Sequence, residues 1–161
     1  MFGKQKITPF LWFDGQAEEA ALYYTSIFKD SKILKTSYYG EAGPLPKGTV
    51  MTVDFQLEGL EFVALNGGPE FKFTEAVSFA VMCDSQKEVD EMWAKLTAGG
   101  GQPSQCGWLK DKFGLSWQVV PKQLPKMLTD PDPAKTQRVM QAMMDMSKLE
   151  IAELEAAYNG K

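Results

Sequence analysis

The pentapeptide Asp14-Gly15-Gln16-Ala17-Glu18 returns seventy residues later as Asp84-Ser85-Gln86-Lys87-Glu88. Further along, Leu22 corresponds to Met92 and Tyr23 to Trp93 at the same offset. A second pair, Gly59-Leu60-Glu61-Phe62-Val63 and Gly114-Leu115-Ser116-Trp117-Gln118, matches with an offset of 55. Each match falls at a structural landmark, so the chain reads as one supersecondary unit written twice. The order of apolar runs makes that unit β-α-β-β-β. Each copy is a half-shell with an apolar face to bury, and pairing the two leaves a cleft.

The elements follow from periodicity and breakers. Ile7 to Phe13 is an apolar, aromatic strand, and Asp14 is placed to cap a helix from Ala17 to Phe28. Glu18 and Glu19 suit that helix's positive first turn, and Ala17, Ala20, Ala21, Tyr24, Ile27 and Phe28 recur at helical spacing. Ile33 to Tyr39 reads as a strand, Gly40 to Gly48 as a loop, and Val50 to Leu57 as an alternating strand. In that strand Val50, Thr52, Asp54 and Gln56 share one side, and Met51, Val53, Phe55 and Leu57 the other. Glu58-Gly59 turns the chain into a strand from Leu60 to Asn66. The second copy has a strand from Ala76 to Cys83 and a helix capped by Asp84 that runs to about Thr97. Gly99 or Gly100 suits its left-handed C-cap. Short strands follow at Gln102–Gln105, Cys106–Lys110 and Leu115–Val120. Residues 1–121 thus form tandem modules (about 1–70 and 71–121). Residues 122–161 form a C-terminal helical extension over Ala134–Met146 and Leu149–Tyr158. Its apolar stripe of Val139, Met140, Met143, Met144 and Met146 packs on the chain's own sheet, bridges two subunits or closes as a lid. The fold class is α+β, with the modules' mixed sheet curved around the cleft.

With 161 residues, 44% hydrophobic and 24% charged, the chain is in the globular range. A net charge of −4 argues against a nucleic-acid partner. No apolar run reaches the roughly 18–20 residues of a membrane helix. The N-terminus lacks a signal peptide's apolar core. The expectation is a cytoplasmic protein with Cys83 and Cys106 reduced, and with Cys83 as a buried small hydrophobe. There are no histidines, which removes the commonest general base and the commonest transition-metal ligand together.

The repeated β-α-β-β-β, the Asp-x-Gln-x-Glu helix starts and the segment from Cys106-Gly107-Trp108 to Trp117-Gln118-Val119-Val120-Pro121 resemble the PhnB-like branch of the vicinal-oxygen-chelate superfamily. Glyoxalase I, the extradiol dioxygenases and the bleomycin- and fosfomycin-resistance proteins share that fold. The resemblance spans about Ile7 to Pro121 and extends to the Met-rich tail. Members of the branch are often labelled demethylubiquinone 3-methyltransferases. No Gly-x-Gly-x-Gly loop of an adenosylmethionine-binding Rossmann domain occurs, and Gly99-Gly100-Gly101 closes a helix rather than opening one. In the metal-dependent relatives, inward side chains on the first and last strands of each unit hold a divalent ion. Carried through the internal repeat, those positions are Thr8, Val63, Ser78 and Gln118. A two-residue register slip would put Lys6 and Ala76 in place of Thr8 and Ser78. One amide and two hydroxyls are a poor donor set for a dication, so the expectation is no metal and no cofactor. Relatives of this fold usually pair, which implies a homodimer.

The remaining chemistry is carboxylate, thiol and aromatic. Glu61, Glu70, Glu75 and Asp111 are acid-base candidates. Cys106 is a candidate nucleophile with no histidine to activate it. Phe10 and Trp12 on the first strand, with Asn66, Ser78, Trp108 and Gln118, would line an apolar pocket with a few polar groups. Trp117 should face the helix. Three readings follow. The first is a metal-free binder of a small molecule. The second is an enzyme acting through a carboxylate or Cys106. The third is an assembly protein using its Met-rich tail.

Overall fold

The structure, a computed structural model, describes residues 5–161. Its contacts divide the chain into a first unit that ends at Phe73 and a second that spans Thr74–Lys161. The first contains β1 (Phe10–Phe13), α1 (Ala17–Ile27), β2 (Lys32–Tyr38), β3 (Val50–Leu57) and β4 (Leu60–Asn66). The second contains β5 (Ser78–Cys83), α2 (Gln86–Thr97), β6 (Gln102–Pro103), β7 (Trp108–Lys110) and β8 (Ser116–Pro121). It continues into α3 (Leu124–Leu128), α4 (Pro133–Met144) and α5 (Ile151–Tyr158).

Each unit builds a four-stranded sheet in the same order, β1-β4-β3-β2 and β5-β8-β7-β6. First and fourth strands run parallel and the other pairs antiparallel. The duplication is visible in the register. Phe10 pairs with Val63, and Ala80 pairs with Gln118. The offsets of 70 and 55 relate these same positions. The α+β repeat with a helical tail is therefore present as the sequence implies.

In each sheet one face carries the helix. Ala17, Ala20, Ala21, Tyr24 and Ile27 of α1 are buried. The Tyr24 ring stacks 6.2 Å from that of Phe55, which stacks on Phe62 at 5.4 Å. In the second unit Val89, Met92 and Leu96 of α2 are buried with Leu109, Trp117 and Val119. Trp117 points to this side, as expected, and donates its indole N–H to Asp111 at 2.9 Å.

Neither helix is capped by the expected aspartate. The N-cap of α1 is Gln16, whose side chain makes no cap bond. Instead Asn66, the last residue of β4, accepts the Ala17 N–H at 2.9 Å. Ser85 caps α2 by accepting the Glu88 N–H at 3.2 Å, and Glu88 reaches back to accept the Asp84 N–H at 2.7 Å. This is close to a capping box, shifted outward by one residue. After the C-cap residue Ala98, Gly99 and Gly100 both take left-handed backbone, at φ 70° and 108°.

The tail closes a small core of its own. Leu124, Val139, Met146, Leu149 and Leu154 are buried together, with Val120 of β8 packed against them. Gln86 ties it to the start of α2, donating to the Leu149 carbonyl at 3.1 Å and accepting the Ile151 N–H at 2.7 Å. The Cys106 and Gly107 N–H groups donate to the carbonyls of Met146 and Ser147, both at 2.8 Å. Of the methionine stripe, Met146 is buried, while Met140 and Met144 stay 45% and 53% exposed. Among the described residues no helix is long and apolar enough to cross a membrane.

Candidate functional site

The face of each sheet turned away from its helix gathers the polar and aromatic side chains. In the second unit it is set by β8. Register places Ser78 beside Ser116, Trp108 beside Gln118 and Lys110 beside Ser116. Gln118 donates its amide N–H to Ser78 Oγ at 2.9 Å. That bond fixes the amide and leaves its carbonyl oxygen unbonded among the described residues. The indole N–H of half-buried Trp108 is likewise unbonded among the described residues. Ser116 is 1% exposed and its hydroxyl has no partner among the described residues. Glu75, Gln102, Ser104, Trp108, Lys110 and Ser116 line a depression of about 210 Å³. Lys110 forms an ion pair with Glu75 at its rim. Hydrogen bonding to that ammonium holds the Glu75 carboxyl below its usual range. The result is an aromatic wall with several unspent donors and acceptors, the composition of a small-molecule site.

The first unit presents the equivalent face. Phe10, Val63 and Asp54 stand side by side across β1, β4 and β3, and Trp12, Leu65 and Thr52 form the next rung. Phe10 is 45% exposed. Trp12 is pinned. Its indole N–H donates to the Gly68 carbonyl at 2.8 Å, and Phe71 meets its ring edge-on at 4.9 Å. Gly67 lies so close beneath that a Cβ would sit 2.3 Å from the ring, so any side chain there would have to displace the indole. Thr52 is engaged with Ser37, oxygen to oxygen at 2.5 Å.

Asp54 is the residue that sequence reasoning passed over. It occupies the place in its module that Trp108 occupies in the other, opposite the last residue of the matched pentapeptide, Val63 or Gln118. It is 8% exposed and forms no hydrogen bond or ion pair among the described residues. Burial pushes its carboxyl above the ordinary aspartate range, the positive charges of the amino terminus and of Lys35 pull it back, and Glu61 adds to the rise. The alternation that put Asp54 on a polar side was the available signal.

The other candidates fall differently. Asn66 is 5% exposed, and its amide is spent: Oδ1 accepts from Ala17, and Nδ2 donates to the Val50 carbonyl at 3.1 Å. Its own carbonyl accepts the Tyr39 hydroxyl at 2.6 Å. It braces the module rather than presenting a free polar edge. Asp111 is a turn bracket, accepting the N–H groups of Phe113, Leu115 and the Trp117 indole. Glu70 is exposed and Glu61 half-buried. Cys106, at a left-handed φ of 56°, lies half-buried with its sulfur 3.6 Å from that of Met144.

The positions that hold metal in the relatives do not fit a divalent ion here. Val63 is alkyl and 2% exposed. The Gln118 amide directs an N–H at Ser78 rather than both groups presenting oxygens, and Thr8 offers a neutral hydroxyl. Among the described residues no group of three or more His, Cys, Asp or Glu side chains comes together.

The profile of the family described as 3-demethylubiquinone-9 3-methyltransferase matches residues 5–120. Among solved structures, the PhnB protein from Bacillus cereus is 40% identical over 73% of this chain and 99% of its own, with a TM-score of 0.66. Protein PA1353 from Pseudomonas aeruginosa is 20% identical over 73% and 98%, with a TM-score of 0.60. The fosfomycin resistance protein FosX from Mesorhizobium loti shares the fold at 11% identity, with coverage of 80% and 100% and a TM-score of 0.57. Among curated proteins none matches. The architecture is that of the glyoxalase/bleomycin-resistance superfamily, and within it the chain belongs to the PhnB-like family described as 3-demethylubiquinone-9 3-methyltransferase.

Proposed function

We propose that this chain binds a small, partly aromatic organic molecule on the open face of β5-β8-β7-β6, without a metal ion. The observation that carries the reading is the cluster of unspent polar groups beside an indole. Gln118 is held by Ser78, and among the described residues its carbonyl oxygen is unused and the buried Ser116 hydroxyl has no partner. Such groups cost stability unless something bonds them, and a ligand with one polar edge would do so. A methyltransferase activity is not carried over from the family description. The two strand-to-helix turns, Asp14-Gly15-Gln16 and Asp84-Ser85, contain a single glycine and form no glycine-rich nucleotide cradle. The assembly reading is weakened because Val139, Met146, Leu149 and Leu154 already close on their own unit.

Native mass spectrometry of protein purified without additives reads metal and any co-purified molecule together. A molecule found there is then titrated into wild type and Gln118→Leu. Losing the anchor should weaken binding roughly 5- to 150-fold, equivalent to about 1–3 kcal/mol for a buried partner left unpaired. Melting should barely move, because Ser78 is half-buried and can turn to water. Equal binding by the variant overturns the site, and about one metal per chain, lost in Gln118→Leu, overturns the metal-free reading. A stabilising shift with S-adenosylmethionine would favour the enzymatic alternative.

A further inference from the structure

We propose that the second unit binds a small phosphate monoester with a planar, aromatic body in a depression where the end of β8 meets the C-terminal helices, held by Lys122, Lys126 and Gln123 beside the Tyr158 ring. This goes beyond the reading above and does not rest on it, since none of Ser78, Trp108, Ser116 and Gln118 lines this depression.

The site is built by a tight segment. Pro121 ends β8, and the Lys122 N–H is tied to the Cys83 carbonyl at 2.9 Å. The helix α3 starts two residues later with Pro125 in its first turn. Lys122, Gln123, Lys126 and Met127 are therefore presented together, and with Tyr158 of α5 they line a depression of about 330 Å³. That volume is within the range of small-molecule sites. The Tyr158 ring is already fixed. Its hydroxyl donates to Asp130, and the Lys135 ammonium lies 4.8 Å from its ring centre. A ring held in this way loses little entropy on binding.

Charge selects the ligand. The chain carries a net charge of −4, yet the lining contains two lysines and no carboxylate. Lys126 is exposed and forms no ion pair among the described residues. Lys122 reaches Asp84 at 3.1 Å, but the two side chains are 59% and 81% exposed, and such surface pairs are weak. The Gln123 amide oxygen is buried without a partner among the described residues, and its nitrogen forms no hydrogen bond there either. An amide held by nothing can turn about its last bond and offer an N–H to an oxyanion. Ammonium groups bind phosphate as point charges. A phosphate monoester carries about −1.5 to −2 at pH 7, which matches two lysines and lets it displace the singly charged Asp84. A carboxylate ligand would bring only one charge. The Met127 thioether and the Tyr158 ring give the remainder of the molecule an apolar surface.

Phenyl phosphate, inorganic phosphate, benzoate and phenol are titrated separately into the intact chain and followed by backbone amide NMR, with phosphorus NMR for the two phosphates. Phenyl phosphate should saturate, shift amides between Lys122 and Met127 and near Tyr158, and bind more tightly than inorganic phosphate or benzoate; phenol should shift none of them. Lys126→Met should weaken phenyl phosphate by about fivefold, the value of one ammonium–phosphate interaction near water, and Lys122→Met should weaken it several-fold. Both positions are exposed, so the fold should be untouched. Lys112→Met should leave binding unchanged, because Lys112 lies on the turn before β8, at the opposite end of that strand. Gln118→Leu should also leave it unchanged, so a failure here is distinguishable from a failure of the site on the sheet face. Undiminished binding in Lys126→Met, an equal loss in Lys112→Met, shifts from phenol, or inorganic phosphate or benzoate binding as tightly as phenyl phosphate would each overturn the proposal.

Discussion

Replacing Asn66 by alanine removes two hydrogen bonds that join three elements. The Ala17 N–H at the head of α1 loses its acceptor, and the Val50 carbonyl on β3 loses its donor. Loss of a side-chain cap costs about 0.5–2 kcal/mol. A buried polar group left unpaired costs about 1–3 kcal/mol, and Val50 is only half-buried, which favours the lower end. The sum is about 2–3 kcal/mol. In a chain of this size each kcal/mol moves the melting temperature by about 2–4 °C, so the expected drop is roughly 4–12 °C. Urea unfolding followed by circular dichroism should show a lower midpoint with an unchanged slope. Gln16→Ala is the control, because Gln16 holds the N-cap position but makes no side-chain cap bond. It should stay within about 0.5 kcal/mol of wild type. An Asn66→Ala variant as stable as wild type, or a Gln16→Ala variant as damaged as Asn66→Ala, would refute the assignment of the cap.

Three further outcomes are expected. Gly67→Ala drives a Cβ into the Trp12 ring, so intrinsic fluorescence should shift as the indole is displaced, while far-UV circular dichroism stays native; an unchanged emission spectrum would count against the close approach. Burial pushes the Cys83 thiol up to about 12, so an alkylating reagent at pH 8 should modify Cys106 first, giving one adduct by mass spectrometry under native conditions and two in urea. Asp54, whose folded-state carboxyl titrates above the ordinary range because of burial, with the amino-terminal charge and Lys35 opposing and Glu61 adding, favours the protonated form in the folded protein. Its contribution is therefore fully present below the unfolded pKa, near 4, and is lost as pH rises through the folded value; Asp54→Asn should thus be more stable than wild type at pH 7, by a margin that shrinks toward pH 4, and a margin that does not change with pH would refute the desolvation.

What the sequence conveyed best was local and periodic. Val50–Leu57 and Leu60–Asn66 form strands at the boundaries their alternation implies, and the two offsets reappear as paired rungs. What it conveyed poorly depended on partners far along the chain. Asp14 sits where a cap belongs, but the acceptor comes from Asn66, 49 residues from Ala17, and no local pattern announces that. The same bond removes Asn66 from the pocket to which its amide seemed suited by type. Asp54 read as one of four residues sharing a side of an alternating strand; that it is buried emerges only when the strands are assembled. The short helix at Leu124–Leu128 was hidden by Pro125, which reads as a breaker but is tolerated in a helix's first turn.

The contrast between the two helix starts bears on the order in which the modules fold. The cap of α2 is assembled from Asp84, Ser85 and Glu88 alone, so its first turn can form before any sheet exists, at little loop-closure entropy. The cap of α1 requires β4 to be in place, and hence the intervening chain to have been threaded through β2 and β3. Two copies of one design thus differ in contact order at the same point. The second module's helix is free to act as an early nucleus, and the first module's helix is consolidated only as its sheet closes. Substitutions at Ser85 would then act mainly on the folding rate, and substitutions at Asn66 mainly on the unfolding rate.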